Sequence, residues 1–247
     1  MSPTVLVFAG LDPGGGAGLA ADILAVAAQG AHALPVATTL TAQDNNRVFE
    51  VAPVDPDFIV RQAEPLLAAC AIDAVKIGIP GSAANAEAIA SVLRRLRERA
   101  PRLPVVLDPV LASGHGHALG QGDPAEALRP LLELATIAVP NLPEAAALGE
   151  LPCEHVLVTG GHADGNMVIN RWMRGGADMR AWGWPRLPNA YHGSGCTLAA
   201  AIAARLAVGD DMESALARAQ AYTYKALAQA YAIAPGQRIP RRLLQLN

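Results

Sequence analysis

The chain has 247 residues, 52% of them apolar and 17% charged, enough to build one large core and too apolar for a disordered protein. The net charge of −3 gives no basic footprint for nucleic acid or an anionic membrane, so neither is expected as a partner. Three widely spaced cysteines (Cys70, Cys153, Cys196) with no CxxC point to a reduced, cytoplasmic chain, neither a disulfide scaffold nor a zinc module.

The apolar run Val5 to Gly10 is too short to span a bilayer and lacks the flanks of a signal peptide. From there the periodicity alternates. β-Branched runs at Thr4–Ala9, Leu34–Leu40, Ala74–Ile77, Pro104–Leu107, Thr136–Val139 and His155–Thr159 read as strands. Between most of them lie Ala/Leu-rich stretches of helical length: Leu19–Gln29, Asp57–Ala69, Ala84–Arg99 and Pro124–Leu134. Continuous apolar strands alternating with helices predict parallel βαβ units with both sheet faces covered. A short extra strand fits Arg47–Val51 near one edge. After residue 160, Met167–Met173 and Asp178–Trp184 flank Arg174-Gly175-Gly176-Ala177 and predict a β-hairpin. Two helices, Thr197–Ala207 and Met212–Tyr231, close the chain. The expectation is one α/β domain over residues 1–247: three layers, a mainly parallel sheet, a C-terminal hairpin and two closing helices. The Gly/Pro-rich tracts fall at strand ends, where open α/β sheets place ligands.

The first such tract, Gly10-Leu11-Asp12-Pro13-Gly14-Gly15-Gly16-Ala17-Gly18, carries five glycines within nine residues. Glycine lets the backbone approach a ligand closely. It is neither a dinucleotide fingerprint, because the third glycine position is Leu19, nor a Walker A loop, because no Gly-Lys-Ser/Thr exists. The second tract, Tyr191-His192-Gly193-Ser194-Gly195-Cys196-Thr197, opens a helix. Successive amides there make an anion site, and the helix dipole should lower the pKa of Cys196. The alternative is a packed, inert cysteine. The third set is Asp108 at a strand end, with Asn141 and Glu144 three residues apart. A sparse acidic set of this kind suits Mg²⁺, although Asn141 and Glu144 alone also read as a helix cap and its first-turn acid. His115-Gly116-His117 reads as a solvated loop, Lys76 as one half of a buried ion pair, and Trp182 and Trp184 as packing.

Taken together, Ala9 to Gly18, Leu40-Thr41-Ala42-Gln43, Ala74-Val75-Lys76-Ile77-Gly78, Val106-Leu107-Asp108-Pro109-Val110, Pro140-Asn141-Leu142-Pro143-Glu144-Ala145-Ala146 and His192 to Thr197 resemble the hydroxymethylpyrimidine/phosphomethylpyrimidine kinases of thiamine biosynthesis. These belong to the ribokinase-like superfamily, and the resemblance runs nearly end to end. It implies a ribokinase-like fold, a homodimer, and ATP- and Mg²⁺-dependent phosphorylation of a pyrimidine hydroxymethyl group, commonly followed by a second transfer to the monophosphate. Carried over by position, Cys196 activates the substrate hydroxyl, and Gly193, Ser194 and Gly195 form the anion hole. Gln43 binds the aminopyrimidine in a pocket with Gly10, Asp12, Ala17, Gly18 and Val110. Asn141, Thr159 and Gly161 lie on the nucleotide side, and Asp108 and Glu144 on the metal side.

Two departures from the family pattern stand out. The lysine many members carry in Val-Leu-Val/Met-Lys-Gly-Gly-His is Thr159 here, with Arg186 a candidate substitute. The segment after Glu144 is also short, with room for about one helix. Three rival readings compete. A pyridoxal or pyridoxine kinase would act on a similar CH₂OH group; Gln43 favours the pyrimidine. A non-catalytic pyrimidine sensor would have no use for Cys196, Asp108 and Glu144 together. A cysteine hydrolase using Cys196 and His192 lacks an accompanying acid.

Overall fold

The computed structural model describes residues 1–111 and 124–244, so the His115–His117 loop lies outside the described residues. Among the described residues nine strands form one sheet. In chain order the elements are β1 (Thr4–Leu11), α1 (Gly18–Ala28), β2 (His32–Gln43), β3 (Val48–Pro53), α2 (Pro56–Ala69), β4 (Ala74–Ile77), α3 (Ala83–Arg99), β5 (Val105–Leu107), α4 (Pro124–Leu132), β6 (Ile137–Ala138), α5 (Leu142–Leu148), β7 (His155–Val158), β8 (Met167–Arg174), β9 (Ala177–Pro185), α6 (Ser194–Ala207) and α7 (Met212–Ala228). The sheet order is β3-β2-β1-β4-β5-β6-β7-β8-β9. Strands β2, β1, β4, β5, β6 and β7 pair in parallel in that order, while β3 at one edge and the β8–β9 hairpin at the other join through antiparallel pairs.

The period of two along each strand sorts side chains between two cores. Val5, Val7 and Ala9 pack beneath α1, α6 and α7, whereas Leu6 and Phe8 join the helices of the other face. Each fully buried side chain of this kind contributes roughly 1.5–3 kcal/mol. The same alternation puts Lys76 on the α1/α6 face, opposite its neighbours Val75 and Ile77. It is wholly buried there and meets Asp22 of α1 at 2.8 Å, the ion pair expected for it.

Helix starts follow capping chemistry. Asp55 accepts from the Phe58 amide, with Pro56 opening α2; Ser82 accepts from Asn85 and Asp211 from Ser214. Between β8 and β9, Gly175 and Gly176 both have positive φ, as a tight hairpin turn requires. Trp172 stacks on Trp182, and Trp184 on Tyr224, so both predicted tryptophans pack.

The differences from the sequence reading lie at element ends. Helix α6 starts at Ser194, three residues before the expected Thr197, which places Cys196 inside its first turn. Helix α7 stops at Ala228 because Tyr231 turns back to pair with Ile239. The short segment after Glu144 holds one helix, α5. The register aligns Phe8, Ile77, Leu107, Ala138 and Val156 in one row, so the strands end together and their loops meet above the sheet.

Candidate active site

Asp12 organises the glycine loop after β1. It is 3% exposed, and its carboxylate accepts from the amides of Gly14 (2.7 Å), Gly16 (2.9 Å) and Ala17 (2.8 Å). Ala17 precedes α1 with no side-chain cap of its own, so Asp12 caps that helix from five residues upstream. His192 Nε2 stands 2.9 Å from the same carboxylate, and Gln43 also bonds it. Burial pushes the acid up, but the bonds from His192, Gln43 and Ala17 hold it down at about 2. The loop is tightly folded: a Cβ on Gly18 (φ +56°) would fall 2.1 Å from the Gly10 carbonyl, and one on Gly10 would fall 2.7 Å from Thr39. Gly10, Asp12, Ala17, Gly18 and Gln43 therefore come together. Val110 follows Asp108 past the end of β5, its amide bonded to the Asp108 carbonyl.

The first turn of α6 faces this loop. Gly193, its N-cap, has φ +83°, and a Cβ there would fall 2.0 Å from the Gly16 carbonyl. The amides of Ser194, Gly195 and Cys196 belong to the first turn, where no intrahelical carbonyl lies in reach. Gly195 abuts Asp108: a Cβ on it would lie 3.6 Å from Oδ1.

Cys196 neighbours the Asp108 carboxylate and the Gly18 amide, both of which act on its ionisation. The expected lowering of its pKa is overturned. Burial pushes the thiol up to about 12, Asp108 and Asp22 add to the rise, and the nearby Lys76 ammonium offsets only part of it. The helix dipole loses to desolvation and two acids. Burial alone disfavours the Lys76 ammonium, but Asp22, Cys196 and Asp108 raise its pKa and keep it charged.

On the other side, Asn141 and Glu144 form a reciprocal cap. Glu144 Oε2 accepts from the Asn141 amide at 2.8 Å, and Asn141 Oδ1 accepts from the Glu144 amide at 2.9 Å. Both residues thus start α5, as their alternative reading had it, and Glu144 still feels Asp108: burial first, then that neighbouring charge, raise it to about 7. Asp108 itself is buried and raised, and its Oδ2 has no hydrogen-bond partner. Two buried carboxylates, Glu144 raised in part by Asp108 and Asp108 with an orphaned oxygen, fit a divalent cation. The turn of helical amides opposite fits phosphate oxygens. Among the described residues no three His, Cys, Asp or Glu side chains cluster as a metal site.

Thr159 pairs with Asn141 across the ends of β6 and β7, and Gly161 follows it. Arg186 donates to the carbonyls of Gly161, Ala163 and Gly165, so its guanidinium clasps that loop rather than reaching the α6 turn. His192 sits on Asp12, which removes the hydrolase reading that paired it with Cys196.

Three features escaped the sequence reading. Asp22 pairs with Lys76 under the site. Asn170 bonds both the Gly160 amide and Gln220. Arg242, buried beneath the α6 turn, bonds Thr197 and Gly16. None belongs to a recognisable motif; Asp22 alone had a signal, as an acid on the apolar face of a helix.

The phosphomethylpyrimidine kinase family model matches residues 12–240. A hydroxymethylpyrimidine/phosphomethylpyrimidine kinase of Rhizobium meliloti is 34% identical over 96% of this chain and 95% of its own. A multifunctional thiamine biosynthesis protein of Corynebacterium efficiens is 35% identical over 95% of this chain, which spans only 34% of that longer relative. Among solved structures, a pyridoxal kinase of Bacillus subtilis in complex with ADP superposes with a TM-score of 0.84, at 26% identity over 98% of each chain. A phosphomethylpyrimidine kinase of Clostridium difficile superposes with a TM-score of 0.73, at 28% identity over 89% of this chain and 97% of the other. With the family model matched over most of its length and relatives about 34% identical from end to end, the chain belongs to the phosphomethylpyrimidine kinase family.

Proposed function

We propose that this chain, as one ribokinase-like kinase domain over residues 1–247, transfers the γ-phosphoryl group of ATP to the hydroxymethyl group of 4-amino-5-hydroxymethyl-2-methylpyrimidine, and then phosphorylates the monophosphate. The observation that carries the reading is the meeting of the α6 first turn, Cys196 and Asp108 beside the Asp12–Gln43 pocket. Gln43, held by Asp12, presents an amide to the ring amino group and nitrogen. Gly10, Ala17, Gly18 and Val110 line the ring's pocket. Asn141, Thr159 and Gly161 take the nucleotide side, with Arg186 fixing the Gly161 loop. Asp108 and Glu144 would hold Mg²⁺, which when bound neutralises charge on the transferring phosphates.

In the transfer the substrate oxygen forms a bond to the γ-phosphorus as the β,γ-bridging bond breaks and ADP leaves. The hydroxyl proton passes to Cys196 Sγ while the thiol proton passes to the neighbouring Asp108 carboxylate. The amides of Ser194, Gly195 and Cys196 point their donors at the charge that develops. This relay needs no free thiolate, which reconciles a raised thiol with catalysis.

A homodimer is part of the proposal; Leu40 and Phe49, exposed on the β2–β3 edge, are apolar surface for it. So is a cytoplasmic location, consistent with three free cysteines. Among the described residues no helix is long and apolar enough to cross a membrane. The structural likeness to pyridoxal kinases supports a second reading, phosphorylation of pyridoxal. ATP consumption with hydroxymethylpyrimidine, its monophosphate and pyridoxal as separate acceptors decides. Turnover of the pyrimidines is the expected result. Pyridoxal alone as acceptor would select the second reading, and pyrimidine binding without turnover would mean a sensor.

A further inference from the structure

Arg242 is 2% exposed, and among the described residues no carboxylate lies within ion-pair distance of its guanidinium. All of its recorded partners are neutral oxygens. Nε donates to Thr197 Oγ1 at 2.9 Å, and Nη2 donates to the Gly16 carbonyl and, at 3.4 Å, to the Gly193 carbonyl. Thr197 Oγ1 in turn donates to the same Gly193 carbonyl at 2.7 Å. Cys196, Tyr222 and Asp22 favour the guanidinium charge without touching it, so no contacting anion offsets the burial, which is costly for a cation.

The identity of these carbonyls matters. The Gly193 carbonyl shares its peptide unit with the Ser194 amide, the first donor of the anion turn. The Gly16 carbonyl shares its unit with the Ala17 amide, which donates to Asp12 at 2.8 Å. A hydrogen bond to a carbonyl polarises its peptide and strengthens the N–H at the other end, by roughly 10–30% per bond. One guanidinium therefore strengthens a donor on each side of the site and holds α6 against the glycine loop. A Cβ on Gly193 would fall 2.7 Å from Nη2, so the N-cap glycine also makes room for this contact.

The segment that carries Arg242 is stitched down. Its carbonyl accepts from Tyr222, the Arg241 amide bonds the Ala226 carbonyl, and upstream the His192 amide donates to the Arg238 carbonyl while the Arg238 amide donates to the Ala190 carbonyl. It lies past residue 240, where the family match ends.

We propose that Arg242 is a positioning residue for phosphoryl transfer: from the C-terminal segment it polarises the Gly193–Ser194 peptide, pins the α6 turn to the glycine loop, and supplies the buried positive charge that the incoming phosphate compensates. The proposal rests on the kinase reading above and acts through the α6 amides, not by touching the substrate.

The test uses the full chain, with steady-state kinetics on hydroxymethylpyrimidine and ATP, and thermal unfolding with and without inorganic phosphate. Arg242→Ala should lower kcat by at least about tenfold, since removing a single anion-hole donor costs more than that, and leave the KM for the pyrimidine within about twofold. Guanidinium chloride at low millimolar concentration should restore part of the rate. Arg242→Lys should fall between, because an ammonium keeps the charge but not the planar fork. An unchanged kcat in folded Arg242→Ala overturns the proposal, as does a loss that guanidinium does not relieve. If Arg242→Ala does not fold, Arg242→Lys decides alone: a full rate overturns, a reduced kcat at constant pyrimidine KM supports. Absence of any ATP-dependent turnover in the unaltered chain would sink the kinase reading instead. Arg242 is then judged by phosphate: a rise in melting temperature lost in Arg242→Ala and regained with guanidinium supports it, while a rise that persists, or none in the unaltered chain, overturns it.

Discussion

Cys196, in the first turn of α6, neighbours the carboxylate of Asp108 just past the end of β5. Burial raises both groups, and the Asp108 charge further raises the thiol, so the proton of one is coupled to the charge of the other. Cys196→Ala breaks the relay while leaving the amides in place, so kcat should fall by roughly 10²-fold with both KM values nearly unchanged. With the thiol held up at about 12, iodoacetamide should alkylate Cys196 slowly at neutral pH and faster as the solution becomes alkaline, and bound pyrimidine should slow it further. A fast, pH-independent alkylation, or a Cys196→Ala variant with a near-normal kcat, would return this cysteine to the role of packing.

Glu144 gives the pH dependence its sign. Its folded value of about 7 lies above the ordinary 4.5. Below the ordinary value the group is protonated folded or unfolded and contributes nothing. As pH rises toward the folded value, the folded chain resists an ionisation that the unfolded chain makes freely, so stability falls across that window. Mg²⁺ between Asp108 and Glu144 would reverse the penalty by favouring the ionised pair. The melting temperature should therefore rise more with Mg²⁺ at about pH 8 than at about pH 6. Glu144→Gln should flatten that difference, at the cost of little more than an altered cap. An undiminished Mg²⁺ effect in the variant would leave Glu144 as the partner of Asn141 in the capping box and nothing else.

How much was legible beforehand depends on what kind of signal each feature leaves. Val5 to Ala9 and Ala74 to Ile77 announce themselves as strands because a two-faced parallel strand must be apolar at every position, and Lys76 stands out against that rule. The glycines of both loops are legible for a related reason: only glycine tolerates backbone contacts as close as Gly18 to Gly10 and Gly193 to Gly16. The thiol's ionisation was not legible. The sequence displays the helix start that would lower it, but Asp22 and Asp108 come from α1 and the end of β5, and only the fold brings them to Cys196. Arg242 was hidden likewise, since an arginine near a C-terminus looks like solvated surface until the chain turns it inward. Arg186 misled in the opposite direction: its position next to the anion turn in sequence says nothing of the loop carbonyls it holds.

Asp12 and Gln43 make a separable prediction. Asp12 holds three amides, His192 and Gln43 at once, so Asp12→Ala should cost about 1–3 kcal/mol of stability by leaving buried donors unpaired. Because its carboxyl is held near 2, below the ordinary 3.8, that stability is present above the ordinary value and is lost as pH falls through the folded one. Gln43→Ala should leave the fold intact and raise the KM for the pyrimidine several-fold, with the KM for ATP unmoved. If both variants change the two KM values in parallel, the loop shapes the whole site and Gln43 does not read the ring.

The nucleotide side carries the departure read at Thr159 from the family pattern, and it can be tested by placing a lysine there. Thr159 ends β7 with its amide bonded to the Pro140 carbonyl and pairs with Asn141, so its position is set by backbone and tolerates another side chain. A neutral hydroxyl there offers a phosphate at most one hydrogen bond, where a lysine would add a charge-assisted one. Thr159→Lys should therefore lower the KM for ATP by up to about tenfold, the equivalent of roughly 1.4 kcal/mol, and leave the pyrimidine KM where it was. Arg186→Ala should act the other way and indirectly. Releasing the carbonyls of Gly161, Ala163 and Gly165 loosens the loop that follows Thr159, so ATP should bind more weakly while kcat at saturating ATP holds. The two effects should also add in the double variant, because one supplies a charge and the other orders a loop. ATP binding indifferent to both changes would place the nucleotide away from the end of β7 and detach Thr159, Gly161 and Arg186 from the site altogether.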